Sequence, residues 1–250
     1  MHRDLALALA LADASDELTM KHFRTHLQVR TKSDRTPVSE VDEAVERMLR
    51  QRLAAERPGD AIVGEELGTS GDAARRWIVD PIDATKNYIR GIPVFATLIA
   101  LEEHGTLVAG VVSAPALQRR WYAARGDGAF SNGAPIQVSS AATIEEAHFA
   151  YDDFAGFAKA GLETQFLDAS RRFVRTRGFG DFWSHMLVAE GAIDVAIEPE
   201  VALWDLAALQ IIVEEAGGRF TSLRGEARPD AGSAVSTNGL LHGAVLEAFA

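Results

Sequence analysis

Apolar and polar residues alternate with helical spacing from Arg3 to about His26, in RDLALALALADASDELTMKHFRTH, and predict an amphipathic helix over 3–26. SEVDEAVERMLRQRLAAE predicts a second helix, with Ser39 as N-cap and Pro58-Gly59 as stop. The polar, proline-containing RTKSDRTPV between them reads as an exposed loop. Two short apolar runs follow, AIV at 61–63 and WIV at 77–79, and each breaks into acids. VFATLIALEE, TLVAGVVSAPA and RRWYAARGDGAF are strand-rich runs separated by HG and LQ, which predicts a meander closed by the Asn-Gly turn of SNGAPIQVS. Residues 141–177 carry less pattern, with a helix predicted over 154–170. GDFWSHMLVAEGAI reads as a helix ending near Gly191, and DVAIEP as a strand. LWDLAALQIIVEEAGG is apolar on most of its surface, hence a buried helix, stopped by Gly217-Gly218. GRFTSLRG and SAVSTNG are short strands and LLHGAVLEAFA a terminal helix. Helices and strands alternating in blocks predict a layered α/β fold.

Composition narrows the class. At 250 residues, 47% hydrophobic and 24% charged, the chain has ordinary globular composition and enough length for a sizeable core. It has no cysteine, which removes disulfides, thiolate metal sites and thiol nucleophiles and suits a reducing cytosol. A net charge of −11 disfavours nucleic-acid binding, which depends on Lys and Arg neutralising phosphates. The amino-terminal MHRDLALALALADA has some features of a signal peptide, but Asp4 precedes the apolar run and the amphipathic pattern continues through Leu18, Met20 and Phe23. No apolar stretch approaches the ~20 residues that span a bilayer.

Acids stand at the ends of buried segments in three places: Glu65-Glu66 after AIVG, Asp80 and Asp83 after WIV, and Asp205 at the start of the buried helix. Singly, each has an ordinary explanation as a turn charge, an Asx turn or a helix cap. Together they would be driven to protonate unless a cation joined them. Hard oxygen ligands, without cysteine or suitably spaced histidine, select a cation such as Mg2+, which keeps water and substrate phosphate among its ligands. A helix beginning at Thr85 would also aim the amides of 84–86 at a phosphate.

GEE, WIVDPIDATKNYIRGIP, GDGAFSNGAPIQVS and WDLAALQIIVEEAGG, taken in order, resemble the motifs of the inositol monophosphatase family of metal-dependent phosphatases, over essentially the whole chain. The resemblance implies an αβαβα sandwich forming one phosphatase domain over 1–250. Within it, 1–140 would carry the metal and phosphate motifs, and 141–250 would carry substrate recognition and Asp205. It implies Glu65, Asp80, Asp83 and Asp205 as side-chain ligands, and the Ile82 carbonyl as a further ligand, of two or three Mg2+. Thr85, partnered by Asp42, and Glu65 would orient the attacking water, with Lys32 on a loop folding toward the metals. Family members usually form cytoplasmic homodimers; no nucleic-acid or membrane partner is implied.

TPVSEVD, VVSAPALQRRWYAARGDGAF and GDFWSHMLVAEG most resemble the actinobacterial-type histidinol-phosphate phosphatases of histidine biosynthesis. Glu198, Gly180 and Asp181 match positions facing the organic part of the substrate, beside Asp83, Ala84 and Thr85 at the phosphate. Arg177 either braces Asp181 and Glu198 or is a surface arginine. Histidinol carries an ammonium and an imidazole, which these acids could pair. Inositol monophosphate is the alternative substrate, followed by a sugar bisphosphate or a 3′-phosphoadenosine nucleotide. One residue departs from the motif: Ala84 stands where the family has glycine. A φ near −60° would tolerate it, whereas a positive φ would strain the site and permit a non-catalytic member.

Overall fold

The computed structural model describes residues 3–33 and 36–250. In chain order, α1 (Arg3–His22) leads into the hairpin β1 (Val29–Thr31) and β2 (Pro37–Ser39), then α2 (Glu40–Glu56). The strands β3 (Ala61–Gly64), β4 (Gly68–Ser70) and β5 (Arg75–Asp83) precede a short α3 (Thr85–Ile89). A meander follows, of β6 (Ala96–Glu103), β7 (Thr106–Ala114), β8 (Arg119–Ala124), β9 (Gly128–Ser131) and β10 (Ala134–Ile136). The remainder is β11 (His148–Tyr151), α4 (Phe154–Lys159), α5 (Glu163–Arg172), β12 (Arg175–Gly178), α6 (Asp181–Ala189), β13 (Val195–Glu198), α7 (Leu203–Glu215), β14 (Arg219–Thr221), β15 (Ala234–Thr237) and α8 (His242–Ala248).

The period-2 alternation of the strands builds the layers. The large sheet has the order β10-β9-β8-β7-β6-β5-β3-β4. Trp77, Val79, Ile99 and Leu101 face α1 and α2, packing on Leu11, Val45 and Leu49. Their neighbours Ile78, Leu98 and Ala100 face the opposite way, onto Phe182 and Met186 of α6 and Leu206, Leu209 and Ile212 of α7. Behind those helices lies the second sheet, β12-β11-β13-β15-β14. Its Ala150 and Ala196 meet Val188 of α6. Its Phe149, Val195 and Ile197 meet Phe157, Phe166 and Val245 of α4, α5 and α8. Five layers result, helix, sheet, helix, sheet, helix, as the resemblance implies.

Several local expectations hold. Ser39 caps α2 in a capping box with Asp42, Asn132-Gly133 turns β9 into β10 with both φ values positive, and α7 ends at Gly217 with φ 88. Two boundaries differ. The first helix stops at His22, not 26, because Arg24 takes a left-handed φ of 62. The helix expected over 154–170 is two, α4 and α5, parted at Gly161 with φ 73. Among the described residues, no helix is long and apolar enough to cross a membrane.

Candidate active site

Strand β5 runs three residues past the expected Asp80, and a register shift between Asp80 and Asp83 lets it carry both acids. Pro81, which cannot donate to a ladder, sits within this irregularity, and its carbonyl accepts from the Thr97 hydroxyl at 2.8 Å. The Asp80 carboxylate accepts from the Ile82 amide at 2.9 Å, so the Asx turn is real as well. β3 lies parallel to β5 with Gly64 opposite Val79, which brings Glu65 beside Asp80 at the carboxyl ends of both strands. Asp205 stands in the first turn of α7, its Oδ2 accepting from the Ala202 amide at 2.9 Å. Asp83 Oδ2 accepts from the Phe182 amide at 2.8 Å, tying the end of β5 to the start of α6.

These acids meet in one cavity of about 520 Å³ lined also by Thr85, Lys86, Asp152, Asp181, Phe182 and Glu198. Carboxylate oxygens of Asp80, Asp83 and Asp205 all lie within 4.8 Å of one another. Burial, then the charges of Glu65, Asp83 and Asp205, pushes the Asp80 carboxyl well above its ordinary range. Burial and the charges of Asp181 and Asp205 do the same to Asp83. Asp205 is pushed up to about 7 by burial and the charges of Glu65 and Glu198, against the opposing Ala202 hydrogen bond. Asp181 rises to about 8 through burial, Asp152 and Glu198. A converging all-oxygen donor set that resists ionising on its own fits a hard divalent cation.

Supporting contacts hold this arrangement. Thr85 Oγ1 lies 3.1 Å from Asp42 Oδ1 and 2.9 Å from the Ile82 carbonyl oxygen, and its single hydrogen serves one of them at a time. Asp42 is fully buried; its other oxygen accepts from the Ser39 amide at 2.9 Å and from the Ser39 hydroxyl. Lys32 donates to Glu65 and Glu66, both at 2.7 Å, so this lysine does approach the acids. Lys32 and Asp42 nonetheless stand outside the cavity lining.

Three expectations are adjusted. Ala84 has φ 65 and ψ 45, so the φ near −60° is excluded and its backbone is strained, while Asp80, Asp83 and Asp205 still converge beside it. Arg177 is exposed and donates to the Thr176 carbonyl, with no contact to Asp181 or Glu198; it is a surface arginine. Gly180 does not line the cavity; it caps α6, and a Cβ there would lie 2.7 Å from Asp152 Oδ1.

Sequence reasoning missed two acids. Asp152 directly follows β11; FAYDD is another apolar run breaking into acids, the signal that marked Glu65 and Asp80. The residue presents an exposed flank at the cavity mouth, yet its carboxyl is crowded by protein and raised by burial and by the Glu198 charge. Glu46, fully buried on α2, accepts from the amides of Glu66 at 2.7 Å and Leu67 at 3.2 Å and pairs with Arg50. It anchors the turn carrying Glu65, and its place inside a helix gave no sign of this.

The model of the inositol monophosphatase family matches residues 1–250. A Mycobacterium tuberculosis protein named histidinol-phosphatase is 55% identical, over 98% of this chain and 97% of that protein. A Streptomyces coelicolor protein of the same name is 50% identical, over 97% and 95%. The solved structure of a Thermotoga maritima IMPase superposes with a TM-score of 0.91 at 32% identity, covering 99% of this chain and 97% of that one. Motif order, five-layer fold and converging carboxylates agree with these matches: the chain belongs to the inositol monophosphatase family.

Proposed function

We propose that the protein hydrolyses L-histidinol phosphate to L-histidinol and phosphate, with Mg2+ held by Glu65, Asp80, Asp83, Asp205 and the Ile82 carbonyl. The observation that carries this reading is that one cavity holds both the hard-oxygen cluster of Asp80, Asp83 and Asp205 and the further acids Asp181 and Glu198. The 55% identity to a protein named histidinol-phosphatase supports the same substrate.

Bound there, the cation supplies Lewis-acid neutralisation of the phosphate and acidifies water. The chain's own residues do the rest. Asp42 Oδ1 accepts the Thr85 hydroxyl hydrogen, which leaves the Thr85 oxygen to accept from the attacking water. The proton the water loses passes to Thr85 as the Thr85 proton passes to the Asp42 carboxylate. The first amides of α3 precede any intrahelical acceptor and face a phosphate. Asp181 and Glu198 hold the ammonium and the imidazole by charge-assisted hydrogen bonds. Without a cation, these acids disfavour a phosphate, so substrate binding depends on the metal. A cytosolic homodimer, with 1–140 supplying the metal motifs and 141–250 the substrate contacts, belongs to the same reading.

Phosphate release with Mg2+ from L-histidinol phosphate and from inositol 1-phosphate, compared at equal concentration, tests the substrate. The expected result is at least tenfold higher kcat/KM for histidinol phosphate. Equal or better release from inositol 1-phosphate refutes the assignment.

A further inference from the structure

We infer that Asp152 is a specificity-determining residue which, with Asp181 and Glu198, forms a subsite for a positively charged organic group on the substrate. The inference rests on reading the cavity as the substrate site, and it adds a residue that neither motif nor resemblance marks.

The backbone explains why three acids meet there. β12, β11 and β13 lie side by side and parallel, with Tyr151 opposite both Gly178 and Ile197. Their carboxyl ends therefore open on one edge, where parallel strands present ligand sites. Glu198 ends β13, Asp152 follows β11 directly, and Gly180-Asp181 follow β12. Gly180 makes this possible, because any side chain there would strike the Asp152 carboxylate.

The second observation is Glu198 itself. It is 6% exposed, it lines the cavity, and its Oε1 is buried without a hydrogen-bond partner. The His185 ring nitrogen Nε2, itself without a hydrogen-bond partner, stands 3.5 Å away, beyond ordinary hydrogen-bond length. A buried carboxylate oxygen in that state calls for a donor from a ligand. The spacing then selects the kind of cation. Among the described residues, carboxylates converge within metal-binding distance only at Asp80, Asp83 and Asp205. The strand-edge acids are more widely set, which suits an ammonium or imidazolium offering several N–H donors rather than a bare ion. Lys86 lines the same cavity and acts on Asp152 and Asp181 through its charge, without an ion pair to either.

The test measures kcat/KM of wild type and Asp152→Asn, with Mg2+, on L-histidinol phosphate and O-phosphoethanolamine (cationic alcohols) and on glycerol 2-phosphate (a neutral one). Binding of L-histidinol is followed by calorimetry. Asp152→Asn is expected to lose at least tenfold more on the cationic esters than on the neutral one, chiefly through KM, and to bind L-histidinol correspondingly less well. Asp152→Ser should give the same ratio if the isosteric variant folds poorly, and Asp152→Glu should recover part of it. Equal losses on both ester classes, or unchanged L-histidinol binding, overturn the inference. If wild type ignores histidinol phosphate yet prefers phosphoethanolamine to glycerol phosphate, and Asp152→Asn erases that preference, the substrate assignment fails and the subsite stands.

Discussion

Replacing Asp205 by asparagine should stabilise the metal-free protein at pH 8 and remove its response to Mg2+. Asparagine keeps the shape and can still accept from the Ala202 amide. The carboxyl, at 3.8 in an unperturbed aspartate, is pushed up to about 7 by burial and then by Glu65 and Glu198. At 1.36 kcal/mol per pH unit this corresponds to an upper bound of about 4 kcal/mol. A carboxylate in the first turn of α7 gains about 0.3–1 kcal/mol from the helix dipole, and its neighbours share the strain, so about 2 kcal/mol is expected. Because the folded pKa lies above the unfolded one, this stability is complete below about pH 4 and is lost as the pH rises through about 7. The two proteins should thus unfold alike near pH 4. At pH 8 with chelator, Asp205→Asn should melt roughly 4–8 °C higher, at about 2–4 °C per kcal/mol. Mg2+ at 10 mM should raise the wild-type midpoint and leave the variant unmoved. A variant no more stable than wild type at pH 8 would refute the claim that the acids strain against one another. An equal Mg2+ response would remove Asp205 from the ligands.

Other outcomes follow from neighbouring contacts. Thr85→Val keeps the shape but loses the hydroxyl facing the buried Asp42 carboxylate, so kcat should fall about 100-fold or more and urea unfolding should show a loss of about 1–3 kcal/mol. Gly64→Ala would set a Cβ 2.1 Å from Glu46 Oε1, forcing that carboxylate off the Glu66 and Leu67 amides. Urea unfolding should show a loss of about 2–3 kcal/mol, and phosphate release should drop as the Glu65 turn moves. Ala84→Val places a β-branched residue at φ 65 and should cost about 1–2 kcal/mol in the same assay.

Much of this was legible in the sequence, because the site is built from local events. Asp80, Asp83 and Glu65 end apolar runs, and Asp205 opens a helix apolar on most of its surface, so periodicity put the acids at the rim of a core. The layers followed from alternation along β5 and β6, where Trp77 and Ile78 must face opposite helices. What was not legible depends on through-space neighbours or on backbone angles. Glu46 is an unremarked helical glutamate until β3 passes close enough to exclude any side chain at Gly64. Asp152 matters because β11 lies between β12 and β13, an order no pairwise pattern announces. Arg177 shares a short segment with Asp181, but its β12 position turns it to solvent. Ala84 needed its backbone φ to separate two opposite consequences of one methyl group.

The central claim is that acids delivered by β5 and α7 hold a cation on which turnover depends. Phosphate release from L-histidinol phosphate, followed across a Mg2+ titration in wild type and Asp83→Asn, tests it most directly. Wild-type rate should rise from near zero in chelator to a plateau, while Asp83→Asn stays flat with its fold intact by circular dichroism. Turnover without divalent cation, or a wild-type-like curve from Asp83→Asn, would contradict the account.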